Sequence, residues 1–342
     1  MSELATYGGR DVVSIKGIQT SAPTGWCYIS GRISVLETQF LNRSFFDGLL
    51  RSRSLSEARS ALGKTQYRQL FTTDESLRDY ARALDIYGEE LKAGIMRDAP
   101  PHTLASFFEV KRRYTLFRTL FLRANARGAA AVELESTFDS LTENPSEAEA
   151  LAVHKAQLKQ REAPQHADAV ARSLFLDSAA CTLLLHLAKA APELPVSTLL
   201  SAMAVLRTWT AVLRDCWNGT SAEVLQRWFI VPETYRGMID ACVLLAESNP
   251  ADAVSGFVPD TVCQRLKSAG SENLRRDIDM YVEEAIRDEV LMRRLVPYGP
   301  EKVLAYLVGY TVEQENLRLA LASVVEGIDS GVVAGRLRRD YA

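Results

Sequence analysis

Cysteine is scarce in this chain of 342 residues: Cys27, Cys181, Cys216, Cys242 and Cys263 are all there is. An odd number at wide spacing, with no Cys-x-x-Cys pair, argues against a disulfide framework and a zinc site. It fits free thiols in a reducing cytoplasm. Histidine is rarer still, with His102, His154, His166 and His186. None lies three or four residues from another, and none completes the Glu-x-x-His pattern of helical di-iron sites, so no metal centre is expected. Positive charge is not in excess: the net charge is −3, and the basic run Arg336, Arg338 and Arg339 is short. A nucleic-acid partner is therefore not expected. No apolar run reaches the ~18 residues of a membrane span. The nearest, SAACTLLLHLAKAA at 178–191, is too short and contains His186 and Lys189. The opening MSELATYGGRDVVSIKG lacks the apolar centre of a signal peptide. A phosphate-binding glycine loop is missing too. The stretch ALGKT at 61–65 has only its end: Ala58 stands where the first glycine belongs, and the segment reads as helix rather than strand-then-loop. Lys64 is then a solvated residue near a helix end. No Gly-x-Ser-x-Gly elbow occurs, and the carboxylates of DID (277–279) and VEEA (282–285) read as solvated charge. No catalytic, cofactor-binding or metal-binding residue is expected.

What the chain has in quantity is helix-forming pattern. From residue 31 on, Leu, Ala, Glu and Arg dominate and apolar residues return every three or four positions. The hydrophobic fraction of 47% supplies an ordinary globular core. Candidate capping boxes stand at Ser54–Glu57, Ser146–Glu149 and Thr220–Glu223. Prolines at 100–101, 145, 164, 250, 259, 297 and 300 punctuate the pattern. The expectation is an all-α fold of roughly ten to twelve helices with short connections. Residues 1–27 read as an irregular extension, and the glycines and β-branched residues of 8–30 as irregular or briefly extended backbone.

One helix stands out. Val303, Leu307, Tyr310, Gln314, Leu317, Leu321, Val324 and Ile328 alternate in steps of four and three and make one stripe, broken only by Gln314. Gly327 suits the left-handed position that ends a helix. Asp329 or Ser330 can cap a short helix after it. Two earlier stretches share the plan, EVKRRYTLFRTLFLRANARG up to Gly128 and AVLRTWTAVLRDCWNG up to Gly219. With the glycines aligned, Leu122, Leu213 and Leu321 share one position; Arg123 and Arg214 share the next, where the third copy has Ala322. Weak repetition at this spacing suggests three similar helical lobes, at approximately 28–135, 136–230 and 231–342. At the waist of the last helix stand Gln314, Glu315, Asn316 and Arg318. Two placements fit Asn316 and Arg318: the wet side, with Glu315 bonding Arg318 one turn on, or a face turned to a neighbouring lobe or inner wall. Arg123 and Arg214 divide in the same way. Trp209, Trp217 and Trp228 suit core packing or an exposed contact patch.

Three stretches, in order, resemble the C/d family of A/V-type rotary ATPase components, the C component of the archaeal and bacterial machines and its counterpart, the d component of the eukaryotic V-type ATPase. The first carries Tyr28, Arg32, Ile33 and Glu37, then Leu55, Glu57, Ala58, Leu62, Thr65 and Tyr67. The second, 107–128, lies where the family has a Tyr-Asp-x-x-Asn-Leu helix but lacks its Asp and Asn. The third is the most specific: Pro297, Tyr298, Gly299, Pro300, Glu301, Tyr306 and Leu307, then Asn316, Leu317 and Arg318. The resemblance spans 28–338. It implies three pseudo-threefold helical lobes forming a funnel between the proteolipid ring of the membrane sector and the D and F subunits of the central stalk. It implies a non-catalytic rotor part on the cytoplasmic side of the membrane, with no cofactor, no nucleic acid and no small-molecule substrate. The same ancestry also allows a divergent helical adaptor serving another assembly. On either reading Arg123, Arg214, Asn316 and Arg318 are candidate protein contacts.

Overall fold

A computed structural model describes residues 4–7, 10–15, 18–19, 25–100, 103–126, 136–160, 169–192 and 194–338. The start is not irregular throughout: β1 (Leu4–Tyr7), β2 (Arg10–Ile15) and β3 (Ile18–Gln19) form an antiparallel sheet in that order. Leu4 stands opposite Val13 and Tyr7 opposite Arg10. The β-branched run Val12, Val13, Ile15 and Ile18 favours a pleated backbone over a helical one.

From Trp26 on, the described residues are helices and their connections. They are α1 (Trp26–Glu37), α2 (Arg43–Leu50), α3 (Leu55–Leu62), α4 (Asp74–Arg78), α5 (Tyr80–Asp98), α6 (Thr103–Ala126), α7 (Pro145–Ala150) and α8 (Ala152–Gln160). After these come α9 (Ala169–Lys189), α10 (Leu194–Trp217), α11 (Ala222–Trp228), α12 (Arg236–Leu245), α13 (Asp260–Ala269), α14 (Ser271–Leu291), α15 (Pro300–Glu326) and α16 (Ser330–Ala334). The body is all-α, with more helices than expected because several span one or two turns. The caps differ in detail from the expected boxes. Ser54 accepts from the Glu57 amide, but the Glu57 carboxylate reaches Arg53 N instead of Ser54. At α7 the cap is Asn144, not Ser146, and at α11 it is Ser221, not Thr220. In both places a residue one or two positions away had the geometry to reach the free amides first.

The chain divides into two compact units: Met1–Pro101 with Arg287–Ala342, and His102–Ile286. These boundaries do not follow the three expected segments.

In the first unit α15 is the axis, about 40 Å long at 1.5 Å per residue. It packs against α1, α2, α3, α5 and α16. Gly299 at φ 132° turns the chain into it and Pro300 takes the first helical position, where no amide is needed. The apolar stripe is buried from Val303 to Leu321, but so are Leu304, Ala305, Tyr306 and Val308 on other faces. The first turns are thus buried all round, not on one side. Phe46, Leu49, Leu62 and Leu84 share a core with Leu317 and Leu321. Gly327 (φ 72°, ψ 26°) ends the helix in the left-handed region and Asp329 caps α16, both as expected. A Cβ on Gly327 would touch nothing within 4 Å. Gly327→Ala is therefore expected to cost only the backbone term, about 1–2 kcal/mol, read as a shift in urea midpoint; an unchanged midpoint would contradict it.

In the second unit α9 and α10 pack together, with α6 against α9. Both α9 and Pro195–Trp217 are long and apolar enough to cross a membrane by length and composition, which a count of unbroken apolar runs does not reveal. Within the unit 72% and 67% of their apolar windows are buried, as in core helices. Phe138 and Phe175 pack against His154, and Phe117 and Phe121 pack against those two rings. His154 Nε2 lies 3.0 Å from Ser178 Oγ, whose proton goes to Phe175 O at 2.8 Å. Nε2 must then carry the histidine proton, and burial lowers the imidazole pKa to about 3, keeping it neutral. His186 bonds Ser146; His102 and His166 lie outside the described residues. Trp209 is fully buried and Trp228 nearly so; the indoles of Trp209 and Trp217 donate to Pro250 O and Ala246 O. The core placement holds for Trp209 and Trp228, whereas Trp217 is half-buried. α14 kinks at Asp277 (φ −151°, ψ 62°), whose carboxylate accepts from Met280 N to start the second half.

Candidate functional site

The candidate site is the polar waist of α15 and the elements that meet it in the first unit. Gln314 does not merely interrupt the stripe. It is buried, and its Nε2 donates to Tyr310 Oη at 2.8 Å and Tyr67 Oη at 3.1 Å. Tyr67 in turn donates to Glu313 Oε1 at 2.6 Å. Gln66 Nε2 also reaches Glu313 Oε1 at 2.8 Å, and the Leu41 amide donates to Oε2. One buried carboxylate thus ties α15 to the α1–α2 linker and to the segment after α3. No ion pair reaches Glu313 among the described residues; its partners are all neutral. Burial raises its carboxyl to about 7, against three hydrogen bonds that pull it down. Burial and this carboxylate together push Tyr67 well above its ordinary value.

Asn316 is neither on the wet side nor open to another chain: it is 1% exposed. Its Nδ2 donates to Arg338 O at 2.9 Å and its Oδ1 accepts from Arg338 N at 2.8 Å. The side-chain amide copies a strand neighbour and holds the chain after α16. Arg318 pairs with Asp85 of α5 at 2.6 Å and with Glu315 at 3.7 Å, so the expected bond to Glu315 forms with a second partner added. Its side chain remains 31% exposed.

The other residues carrying the resemblance are mostly used inside the unit. Arg32 pairs with Asp98 and bonds Gly94 O; Glu37 lies 3.4 Å from Lys302 Nζ. Gly299 N donates to Ser30 Oγ, and Tyr306 stacks on Tyr310 at 6.2 Å between centroids. Tyr28 differs, at 70% exposed. In the second unit Arg214 pairs with Asp279 at the surface, both side chains about half exposed, and Arg123 is exposed. Of the aligned leucines, Leu213 and Leu321 are buried and Leu122 is 40% exposed. Gly219 and Gly327 both end their helices at positive φ; Gly128 lies outside the described residues.

Sequence reasoning missed Glu313. Its signal was spacing: Tyr306, Tyr310 and Glu313 fall at steps of four and three, so three polar tips share one face of a helix that is apolar around them. Lys64 is exposed after the Gly63 end of α3. Among the described residues no group of three or more His, Cys, Asp or Glu could hold a metal ion. No protein-family model matches the chain, and no curated protein matches it significantly.

Proposed function

We propose that this chain is a non-catalytic helical coupling subunit of a rotary A/V-type ATPase, seated between the proteolipid ring and the D and F subunits of the central stalk. The observation that carries the reading is the block from Pro297 to Arg318, with its order and spacing relative to the stretches at 28–67 and 107–128. The all-α body supports it, as does a helix held by polar contacts along its length, a build suited to bearing load rather than enclosing a substrate. In this reading three lobes form a funnel on the cytoplasmic face, no nucleotide or nucleic acid is bound, and the membrane is reached through the ring. The missing Asp and Asn of the stretch at 107–128 and Ala322 in the third copy support a second reading, the divergent adaptor of the same ancestry. Affinity purification of the tagged full chain from its own cells separates them. Co-purifying ring and stalk subunits support the first; a different, stoichiometric assembly replaces it with the second. Isothermal titration with ATP is expected to give no heat, and micromolar binding would overturn both.

Contact residues can be separated from structural ones. Arg318 is partly exposed and paired with an exposed carboxylate, so Arg318→Ala is expected to cost about 1 kcal/mol or less in the isolated chain. If Arg318 serves the interface, the same variant loses assembly while its melting temperature stays within a few degrees. Unchanged assembly would restrict Arg318 to its pairs with Asp85 and Glu315.

A further inference from the structure

Glu313, Tyr67, Gln314 and Tyr310 form one buried chain of hydrogen bonds with spacings of 2.6, 3.1 and 2.8 Å. With Glu313 ionised, every bond points toward the carboxylate or is forced by it. Tyr67 gives its proton to Glu313, so Gln314 must present its NH2 to both tyrosine oxygens. That orientation leaves Gln314 Oε1 buried without a partner. It also leaves the Tyr310 proton with no acceptor among the described residues. The network thus holds one acceptor without a donor and one donor without an acceptor, and it surrounds a carboxylate that no cation among the described residues neutralises.

We propose that Glu313, Tyr67, Gln314 and Tyr310 form a buried proton-binding switch, in which one proton taken from solvent at Glu313 reverses the whole chain of hydrogen bonds and tightens the hold of α15 on the segment around Tyr67. In the protonated state the Glu313 O–H donates to Tyr67 Oη. Tyr67 then turns its own proton to Gln314, whose amide rotates so that Oε1 accepts from both Tyr67 and Tyr310. No bond in the chain is lost: Oε1 gains two donors, and the Gln314 NH2 turns into the place that the unpartnered Oε1 occupied.

The surroundings leave Glu313 as the responsive group. From the α1–α2 linker it meets only the Leu41 amide, and from the segment after α3, Gln66 and Tyr67. Tyr87 faces it from α5 and Tyr306 and Tyr310 from its own helix, and burial raises all three hydroxyls above their ordinary value. Of the charges on the packed elements, Arg32 pairs with Asp98, Glu37 with Lys302, Arg43 with Asp47, Arg59 with Asp74, Arg318 with Asp85, and Arg338 with Glu315. Because burial lifts the folded carboxyl above its unfolded value, the folded form holds the proton over an interval where the unfolded form has lost it. The stabilisation is complete below the unfolded value and is lost as pH rises to about 7.

The test is carbon-detected NMR of the full chain, following the Glu313 carboxyl and the Gln314 side-chain amide through a pH titration. Both are expected to shift together with a midpoint near 7. Native-state exchange at the Leu41 amide adds a second reading. Its opening constant, corrected for intrinsic rate, should rise about tenfold per pH unit from roughly 5 to 7 and then level. Tyr67→Phe removes a donor to the carboxylate and breaks the chain. The Glu313 midpoint should move up and the Gln314 amide should stop responding. A Glu313 midpoint at or below the ordinary carboxylate value, or a Gln314 amide blind to the titration in the unsubstituted protein, would overturn the proposal. Glu313→Gln should abolish the pH dependence at Leu41; should that variant fail to fold, the titration of the unsubstituted protein and of Tyr67→Phe decides.

Discussion

Arg113→Ala is expected to destabilise the second unit by about 3–5 kcal/mol, the cost of breaking a buried ion pair from one side. Arg113 and Glu147 have side chains 4% and 0% exposed, and Nη1 lies 2.6 Å from Oε2. The pair is embedded in further bonds. Arg113 Nη2 donates to Ser106 O at 2.8 Å, and Glu147 accepts from Glu143 N at 2.7 Å and from Asn144 Nδ2 at 3.0 Å. This carboxylate fixes the turn into α7 as well as pairing with α6. Truncating Arg113 leaves it buried with two neutral donors and no cation. Replacing both partners, as Arg113→Met with Glu147→Leu, should recover part of the loss, because no charge is then stranded. Recovery stays incomplete because Ser106 O, Glu143 N and Asn144 Nδ2 each lose a partner. Urea unfolding followed by tryptophan fluorescence in a Trp26→Phe background reports this unit, since Trp209, Trp217 and Trp228 lie in it and Trp26 lies in the other. A loss below about 1 kcal/mol in the single variant would show the pair to be solvated in solution.

That pair illustrates what could be read from the chain and what could not. Periodicity identified the helices, the burial of Leu317 and the glycine end of α15, because each depends on residues a turn apart. Arg113 and Glu147 are thirty-four positions apart, and nothing local marks either as buried. The same limit hid the roles of Gln314 and Asn316. As residues on a helix they look like interruptions of an apolar face. Their partners, Tyr67 at 247 positions' distance and Arg338 at 22, are supplied by the fold. The glycine helix ends at Gly219 and Gly327 were legible because a helix end at positive φ needs glycine locally. The equal spacing of Leu122 with Leu213 and Leu321 was not evidence of equal burial, since burial depends on which helices pack beside it. The candidate contact residues divided for the same reason: Asn316 was drawn inside, Arg214 and Arg318 into ion pairs, and Arg123 was left exposed.

Leu317→Ala is expected to cost about 2–5 kcal/mol, the range for large-to-small changes in a packed core. Leu317 is 0% exposed and shares its core with Phe46, Leu49, Leu62 and Leu84, contributed by three other helices. A loss of this size is a large share of a domain's whole stability. The neighbouring positions make the result diagnostic. Arg318 lies about 100° further round the helix, so its truncation removes ion pairs rather than core volume. Asn316, on the other side, should cost about 1–3 kcal/mol as Asn316→Ala, by leaving the Arg338 amide and carbonyl to find water. Leu317→Met keeps the volume and should cost less than about 1.5 kcal/mol. The order Leu317→Ala, then Asn316→Ala, then Arg318→Ala, measured by urea unfolding with far-ultraviolet circular dichroism, follows directly from the orientation of one helical turn. Equal losses at the three positions would mean that α15 unfolds before its core does. A small loss at Leu317 alone would mean that the helix is rotated from the placement described.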